Sequence, residues 1–167
     1  MILKGKAHKF GDDINTDYII SGKYKFKTLD MKELSTHLME DIAPGFYKKI
    51  KEGDFIVAGE NFGCGSSREQ APLVVKYAGI SAVIAKSFAR IFFRNSINVG
   101  LVLIEVDTDK IEDGDEIELD VEKGIVKNIT RGIEIKGSSL PSFIIEIIKE
   151  GGVVNYIKKY GDFKIGE

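Results

Sequence analysis

Cysteine occurs once in this 167-residue chain, as Cys64, and histidine twice, as His8 and His37. A single thiol allows no intrachain disulfide and no cysteine-built zinc or iron–sulfur site from this chain alone, so no metal site is expected here. A lone histidine in a strand or helix is more often structural, and neither is assigned a role. No apolar run approaches the roughly 20 residues of a membrane span. The opening Met1-Ile2-Leu3-Lys4-Gly5-Lys6 also lacks the apolar core of a secretory signal. No charge excess exists: 24 basic against 26 acidic residues leave a net charge of -2, which argues against a nucleic-acid partner. Internal repeats and low-complexity stretches are absent too. These absences point to a cytoplasmic chain with no membrane role. What remains, 43% hydrophobic and 30% charged residues, is ordinary for a globular protein, and the length favours a single domain over 1–167 with a real core.

Ile2–Phe10 reads as a first strand, followed by the polar turn Gly11–Asp17, whose side chains are expected to bond their own backbone. Ser21–Thr28 has no sustained period and reads as a basic, aromatic loop. Asp30 with Glu33 has the spacing of a helix start, giving a short helix over Met31–Met39, and Pro44–Lys51 suggests another helical turn. The middle then alternates: strand Asp54–Gly59, helix Gln70–Ala78, strand Ile80–Ala85, helix Phe88–Ile97 and strand Leu101–Val106. That spacing implies parallel neighbours joined by crossovers. The last third changes to the short runs Glu116–Val121, Ile125–Thr130 and Ile133–Ile135, read as antiparallel hairpins with glycine turns. Pro141 opens a helix with Phe143, Ile144, Ile147 and Ile148 on one stripe; Val153–Tyr160 is a last short helix, followed by a loose tail. The fold class is therefore α/β, with a mixed sheet.

Asn61-Phe62-Gly63-Cys64-Gly65-Ser66-Ser67-Arg68-Glu69-Gln70 carries the most chemical information. A strand enters it and a helix leaves it. Gly63 and Gly65 let the backbone bend tightly and approach a ligand. Free N–H groups at the helix start attract anions. Ser66 and Ser67 supply hydroxyls, and Arg68 can clamp a carboxylate with two parallel bonds. The same residues also fit a helix cap, since Ser66 with Glu69, or Ser67 with Gln70, has capping-box spacing. Both readings stand on spacing alone. Pro72 would break an interior helix bond, which places the helix start near Ala71. A P-loop is absent, a dinucleotide fingerprint lacks its third glycine because Arg68 stands there, and no G-x-S-x-G elbow is present.

Gly63-Cys64-Gly65-Ser66-Ser67-Arg68-Glu69, followed after the next strand by Ser87-Phe88-Ala89-Arg90-Ile91 and preceded by Asp12-Asp13-Ile14-Asn15-Thr16-Asp17, resembles the swivelling domain of the aconitase superfamily. The order and length are similar to the stand-alone small subunits of 3-isopropylmalate dehydratases and homoaconitases, from Met1 to about Tyr160. The resemblance implies a three-layer β/β/α fold. It implies a heteromeric hydro-lyase in which a large subunit holds a 4Fe–4S cluster through three cysteines, a set this chain cannot supply. The reaction is dehydration and rehydration of a small hydroxy di- or tricarboxylate. By resemblance, Ser66 is the catalytic base, Ser67 a neighbouring hydrogen bonder and Arg68 a substrate-carboxylate clamp. Gly63 and Gly65, with Asp13, Thr16 and Asp17, shape the loop. Phe88, Ile91 and Phe92 are expected to pack a helix on the sheet, with Arg90 and Arg94 structural.

In this family the loop after the opening motif reads the substrate's variable group, and homoaconitase-like members carry an arginine there. Here that loop is Tyr24-Lys25-Phe26-Lys27-Thr28. Lys27 falls near the arginine position, but lysine is not a rigid bidentate fork. Phe26 offers an alkyl group a partner. Both are counted as substrate-binding candidates. The missing arginine favours 2-isopropylmalate converted to 3-isopropylmalate, a step of leucine biosynthesis. The alternatives are a homoaconitase or other alkylmalate dehydratase subunit, or a non-catalytic carboxylate-binding module.

Overall fold

The computed structural model describes residues 1–162. Its strands form one seven-stranded sheet in the order β4-β3-β2-β1-β5-β6-β7. The strands are β1 (Ile2–Lys9), β2 (Phe55–Val57), β3 (Ala82–Ala85), β4 (Val102–Glu105), β5 (Glu116–Asp120), β6 (Ile125–Asn128) and β7 (Ile133–Lys136). β1 is the hinge of the sheet. Its first half pairs antiparallel with β5, Ile2 to Lys6 against Asp120 to Glu116. Its second half pairs parallel with β2, Ala7 opposite Phe55. β2, β3 and β4 continue in parallel, and β5, β6 and β7 form an antiparallel meander.

The parallel strands read Phe-Ile-Val, Ala-Val-Ile-Ala and Val-Leu-Ile-Glu because both of their faces are covered. On one face, Phe55, Val57, Ile84, Val102 and Ile104 meet the inner side chains of the meander, Ile117, Leu119, Val126 and Ile135. The C-terminal helices α7 (Ser142–Lys149) and α8 (Val153–Tyr160) add Ile145, Ile148 and Tyr156 to the same core. On the other face, Ile56, Val83 and Leu103 meet the helices α3 (Met31–Ser35), α5 (Gln70–Tyr77) and α6 (Arg90–Asn98) through Leu34, Val74, Val75 and Phe92. The result is the expected β/β/α layering, with hairpins in the last third.

Several boundaries differ from expectation. Ser21–Thr28 is not all loop, because Gly22–Lys25 makes one helical turn, α2, following the turn α1 (Thr16–Ile19). Tyr24 in that turn stacks on His37, with ring centroids 4.0 Å apart. Asp30 caps α3 through the amides of Lys32 and Glu33, but the helix stops at Ser35, short of Met39. Met39 adopts φ +58° and donates its amide to the Ile19 carbonyl, so a tertiary contact replaces further helix. Phe46–Lys49 supplies the expected turn after Pro44, as α4. The loose tail expected after Tyr160 falls largely on residues 163–167, outside the described residues. No described helix is long and apolar enough to cross a membrane.

Candidate active site

Three sequence motifs far apart in the chain follow the C-terminal ends of β1, β2 and β3, which are adjacent parallel strands. Parallel strands bring their C-terminal loops to one edge, where α/β proteins place ligands. The opening motif, the glycine loop and the Ser87–Arg90 segment therefore meet. Beyond the strands their backbones still pair, Asn15 with Cys64 and Phe62 with Phe88. The Gly63 amide donates to the Ile14 carbonyl at 2.7 Å, and the Thr16 amide to the Cys64 carbonyl at 2.9 Å. On the other side the Ala89 amide donates to the Phe62 carbonyl at 2.9 Å. The glycine loop is thus the middle member of a three-segment extension of the sheet.

The glycines are required by two different features. Gly63 has φ +84°, and a Cβ there would lie 2.2 Å from Cγ of the buried Phe92. Gly65 has φ +91°, and a Cβ there would make only ordinary contacts, 3.5 Å from Asn15 Cβ and 3.8 Å from Thr16 Oγ1, so its demand is purely conformational. After this bend the Ser66 carbonyl accepts from Thr16 Oγ1 at 2.8 Å. Thr16 is buried, so the bond fixes the backbone of Ser66 from below. The amides of Gly65, Ser66 and Ser67 donate to no acceptor among the described residues. The Ser66 and Ser67 side chains are exposed at the mouth of a cavity of about 220 Å³. Neither serine caps α5: the cap position is Glu69 and makes no side-chain bond. The capping-box reading fails because the serines still belong to the bend, and Pro72 sits in the first turn, where its missing N–H costs no helix bond.

Thr16, Gly63, Gly65, Ser66, Ser67 and Arg68 share this cavity. The Arg68 guanidinium pairs with the Asp17 carboxylate, and its Nη1 donates to the Ile20 carbonyl at 3.3 Å. Asp17 thus meets the loop through a side-chain ion pair and not through the backbone bond expected of it. Asp13 takes φ +54°, and its carboxylate accepts from the Asn61 amide side chain at 3.2 Å, so it braces the loop's entry. Asp12 likewise accepts from the Glu60 amide at 2.7 Å, a bond across segments and not within its own turn. Phe26 is 84% exposed. A side chain at Gly22 would start 3.7 Å from the Phe26 ring and 3.9 Å from Arg68 Nη1, so both side chains lie beside Gly22. Lys27 is exposed, and its side chain has no partner among the described residues.

Burial pushes the Cys64 thiol above its ordinary range, and the nearby Asp13 carboxylate adds to the rise. It therefore stays protonated near neutral pH beside Ser66. No group of three or more His, Cys, Asp or Glu side chains able to hold a metal occurs among the described residues. With one cysteine, the chain's donors do not fit an iron–sulfur cluster. His8 lies elsewhere, its Nε2 2.7 Å from Asp54 Oδ2 in the interior.

The Aconitase C-terminal domain model matches residues 14–109, which include the glycine loop, the Ser87–Ile91 segment and the opening motif from Ile14 onward. The chain belongs to that family. Within the aconitase family it is 58% identical to the 3-isopropylmalate dehydratase small subunit 2 of Archaeoglobus fulgidus, over 99% of this chain and 100% of that one. It is 57% identical to the methanogen homoaconitase small subunit of Methanocaldococcus jannaschii, over 95% of this chain and 93% of the relative. A crystal structure of a 3-isopropylmalate dehydratase from the same methanogen superposes with a TM-score of 0.92, at 56% identity and 96% coverage of both chains.

Sequence reasoning left Asn95 unmentioned and gave Arg90 only a structural part, yet both line the cavity. Asn95 Nδ2 lies 3.3 Å from Ser67 Oγ and so orients it. Arg90 belongs to a motif the sequence does display, but an arginine at a helix start gives no sign of which side it faces. The expected structural tie is not found: Arg90 has no ion pair or hydrogen bond among the described residues.

Proposed function

We propose that this chain, as one swivelling domain, is the small subunit of a cytoplasmic 3-isopropylmalate dehydratase-type hydro-lyase. It would act with a cluster-binding large subunit in a heterodimer or heterotetramer. The observation that carries the proposal is the full-length similarity to a relative bearing that name, with Gly63, Gly65, Ser66, Ser67 and Arg68 of the glycine-loop motif lining one cavity. Dehydration removes a proton from the carbon beside a carboxylate and a hydroxyl from its neighbour; readdition of water with the two exchanged gives the isomer. Ser66 would take the proton. It would do so as its alkoxide, and because a serine hydroxyl is a very weak acid in water, that anion needs a dry, preorganised surround. The undonated amides of Gly65 to Ser67 and the Arg68 cation are suited to holding negative charge there. Arg68 would hold a substrate carboxylate, Ser67 would hydrogen-bond beside it, and Phe26 would face the isopropyl group. The iron–sulfur cluster would come with the large subunit.

The similarity to a homoaconitase subunit, together with the cation at Lys27, favours homocitrate-type tricarboxylates as the second reading. Mixing the chain with its large subunit and comparing isopropylmalate with homocitrate-type acids decides between them. A strong preference for the latter refutes the first reading. Ser66→Ala separates both from a non-catalytic carboxylate-binding module. Turnover should fall by at least about 10²-fold with assembly intact. Binding without turnover, in the wild-type complex as well, means a module.

A further inference from the structure

We infer that Arg90 is a substrate-binding residue that receives the second carboxylate of the substrate, next to the site offered by Arg68; this rests on the dehydratase reading above. A dicarboxylate brings two negative charges. Arg68, the other guanidinium of the cavity, is already matched by Asp17 and held by the Ile20 carbonyl. Arg68 and Asp17 together are neutral, so they leave a dianion uncompensated. Removing an anion from water without compensation is strongly unfavourable. Arg90 lines the same cavity as Ser66, Ser67 and Arg68, no acid lines that cavity, and although Glu105 lines the neighbouring apolar groove with it, the Arg90 side chain makes no ion pair among the described residues. It supplies the missing positive charge.

The wall around Arg90 supports the same assignment. Ala89, Arg90, Ile91 and Phe92 all line the cavity, so the first turn of α6 is part of its surface. That helix has nine residues, and its cap position is Ala89, which has no side-chain acceptor to offer. Its free amides reinforce the guanidinium in attracting an anion. Asn95, one helical turn beyond Ile91, adds an amide group to the same surface. A merely structural arginine would show an internal partner, as Arg131 does with Asp115 at 2.9 Å. Arg90 also borders an apolar groove of about 610 Å³ lined by Phe93, Phe143 and Ile147. If it served partner docking through that groove, its loss would weaken assembly and not substrate binding.

The test uses the reconstituted two-subunit enzyme with wild type, Arg90→Gln and Arg90→Lys. Assembly is measured by light scattering and kinetics with isopropylmalate. The expected result is unchanged assembly and a KM raised about 10- to 100-fold in Arg90→Gln, the loss of one charged contact. With kcat within about threefold, the lost interaction is one made equally with bound substrate and transition state. Arg90→Lys should recover part of the KM. Inhibition by succinate and by its monomethyl ester gives a second readout. Wild type should prefer the diacid, and Arg90→Gln should lose most of that preference. An unchanged KM and succinate preference in an active enzyme overturns the role of Arg90 alone. Weakened assembly with unchanged KM overturns it in favour of docking. A wild-type complex inactive on isopropylmalate and on homocitrate-type acids overturns the dehydratase reading itself.

Discussion

Gly63→Ala is the sharpest test of how the loop is built. Two penalties meet at this position. The backbone stands at φ +84°, where an L-residue pays roughly 1–2 kcal/mol relative to glycine. The new Cβ would also fall 2.2 Å from Cγ and 2.4 Å from Cβ of Phe92. Because the Cβ of Phe92 is itself in the way, no rotation of the ring relieves the overlap, and the first turn of α6 must move. Forced backbone shifts of this kind cost about 1–3 kcal/mol. The total is about 2–5 kcal/mol, or a Tm lowered by about 4–20 °C for a chain of this size. Gly65→Ala is the internal control. It meets the same conformational penalty at φ +91°, but its nearest neighbour, Asn15 Cβ, would lie at an ordinary 3.5 Å. Its expected cost is about 1–2 kcal/mol. Urea and thermal melts of the two variants measure the difference. Equal destabilisation within about 0.5 kcal/mol would refute the claim that Gly63 is set by contact with α6. The displaced α6 carries Arg90 and Asn95, so Gly63→Ala should also impair the reconstituted enzyme more than Gly65→Ala does.

Two further predictions follow from the same geometry. Burial would raise the carboxyl of Asp54, but the Lys51 amide, the His8 ring and the Lys6 amide outweigh it and hold it below its ordinary value of 3.8. A depressed folded-state carboxyl contributes stability above its unfolded pKa and loses it as the pH falls through the folded one. Wild type should therefore lose Tm progressively below about pH 5, while Asp54→Asn, less stable at neutral pH, should show a flatter acid limb; parallel limbs in pH-dependent melts would contradict this. Lys27→Arg places a bidentate fork near Phe26 and should move kcat/KM toward homocitrate-type acids by about tenfold relative to isopropylmalate. An unchanged ratio in competition kinetics would remove residue 27 from substrate selection.

The parallel half of the sheet was legible because strands covered on both faces must be apolar throughout, and Phe55–Val57, Ala82–Ala85 and Val102–Glu105 nearly are. The glycine loop was legible because few other reasons place two glycines and two hydroxyls between a strand and a helix. The missed features were set by contacts distant in sequence. α2 begins on a glycine and holds two lysines, a poor local helix signal, yet Tyr24 fastens it by stacking on His37. α3 ends early because Met39 turns left-handed to reach Ile19. Nothing local to Arg68 announces Asp17 as its partner. Only the adjacency of β1 and β2 brings them together.

Under the proposed function, the site on this chain is half of one. Ser66 and Ser67 are exposed, and the cavity they border, about 220 Å³, is below the roughly 300–1,000 Å³ of typical ligand pockets. A serine hydroxyl open to water does not give up its proton, since the high dielectric of bulk solvent weakens the pull of the nearby amides and cation that would favour the anion. The chain does provide the features that a covering surface could not easily add late. The backbone of Ser66 is tied to Thr16, Ser67 lies against Asn95, and Arg68 is locked beside Asp17. In the proposed function these are the preorganised parts of an anion site. Water exclusion is the part it lacks, and excluding water needs a second surface. A small subunit with a built loop and an open mouth should therefore bind dicarboxylates weakly when alone and tightly only when covered. Succinate titration of the isolated chain against the assembled enzyme measures that difference. Equal affinity in both states would mean that the partner does not close this cavity.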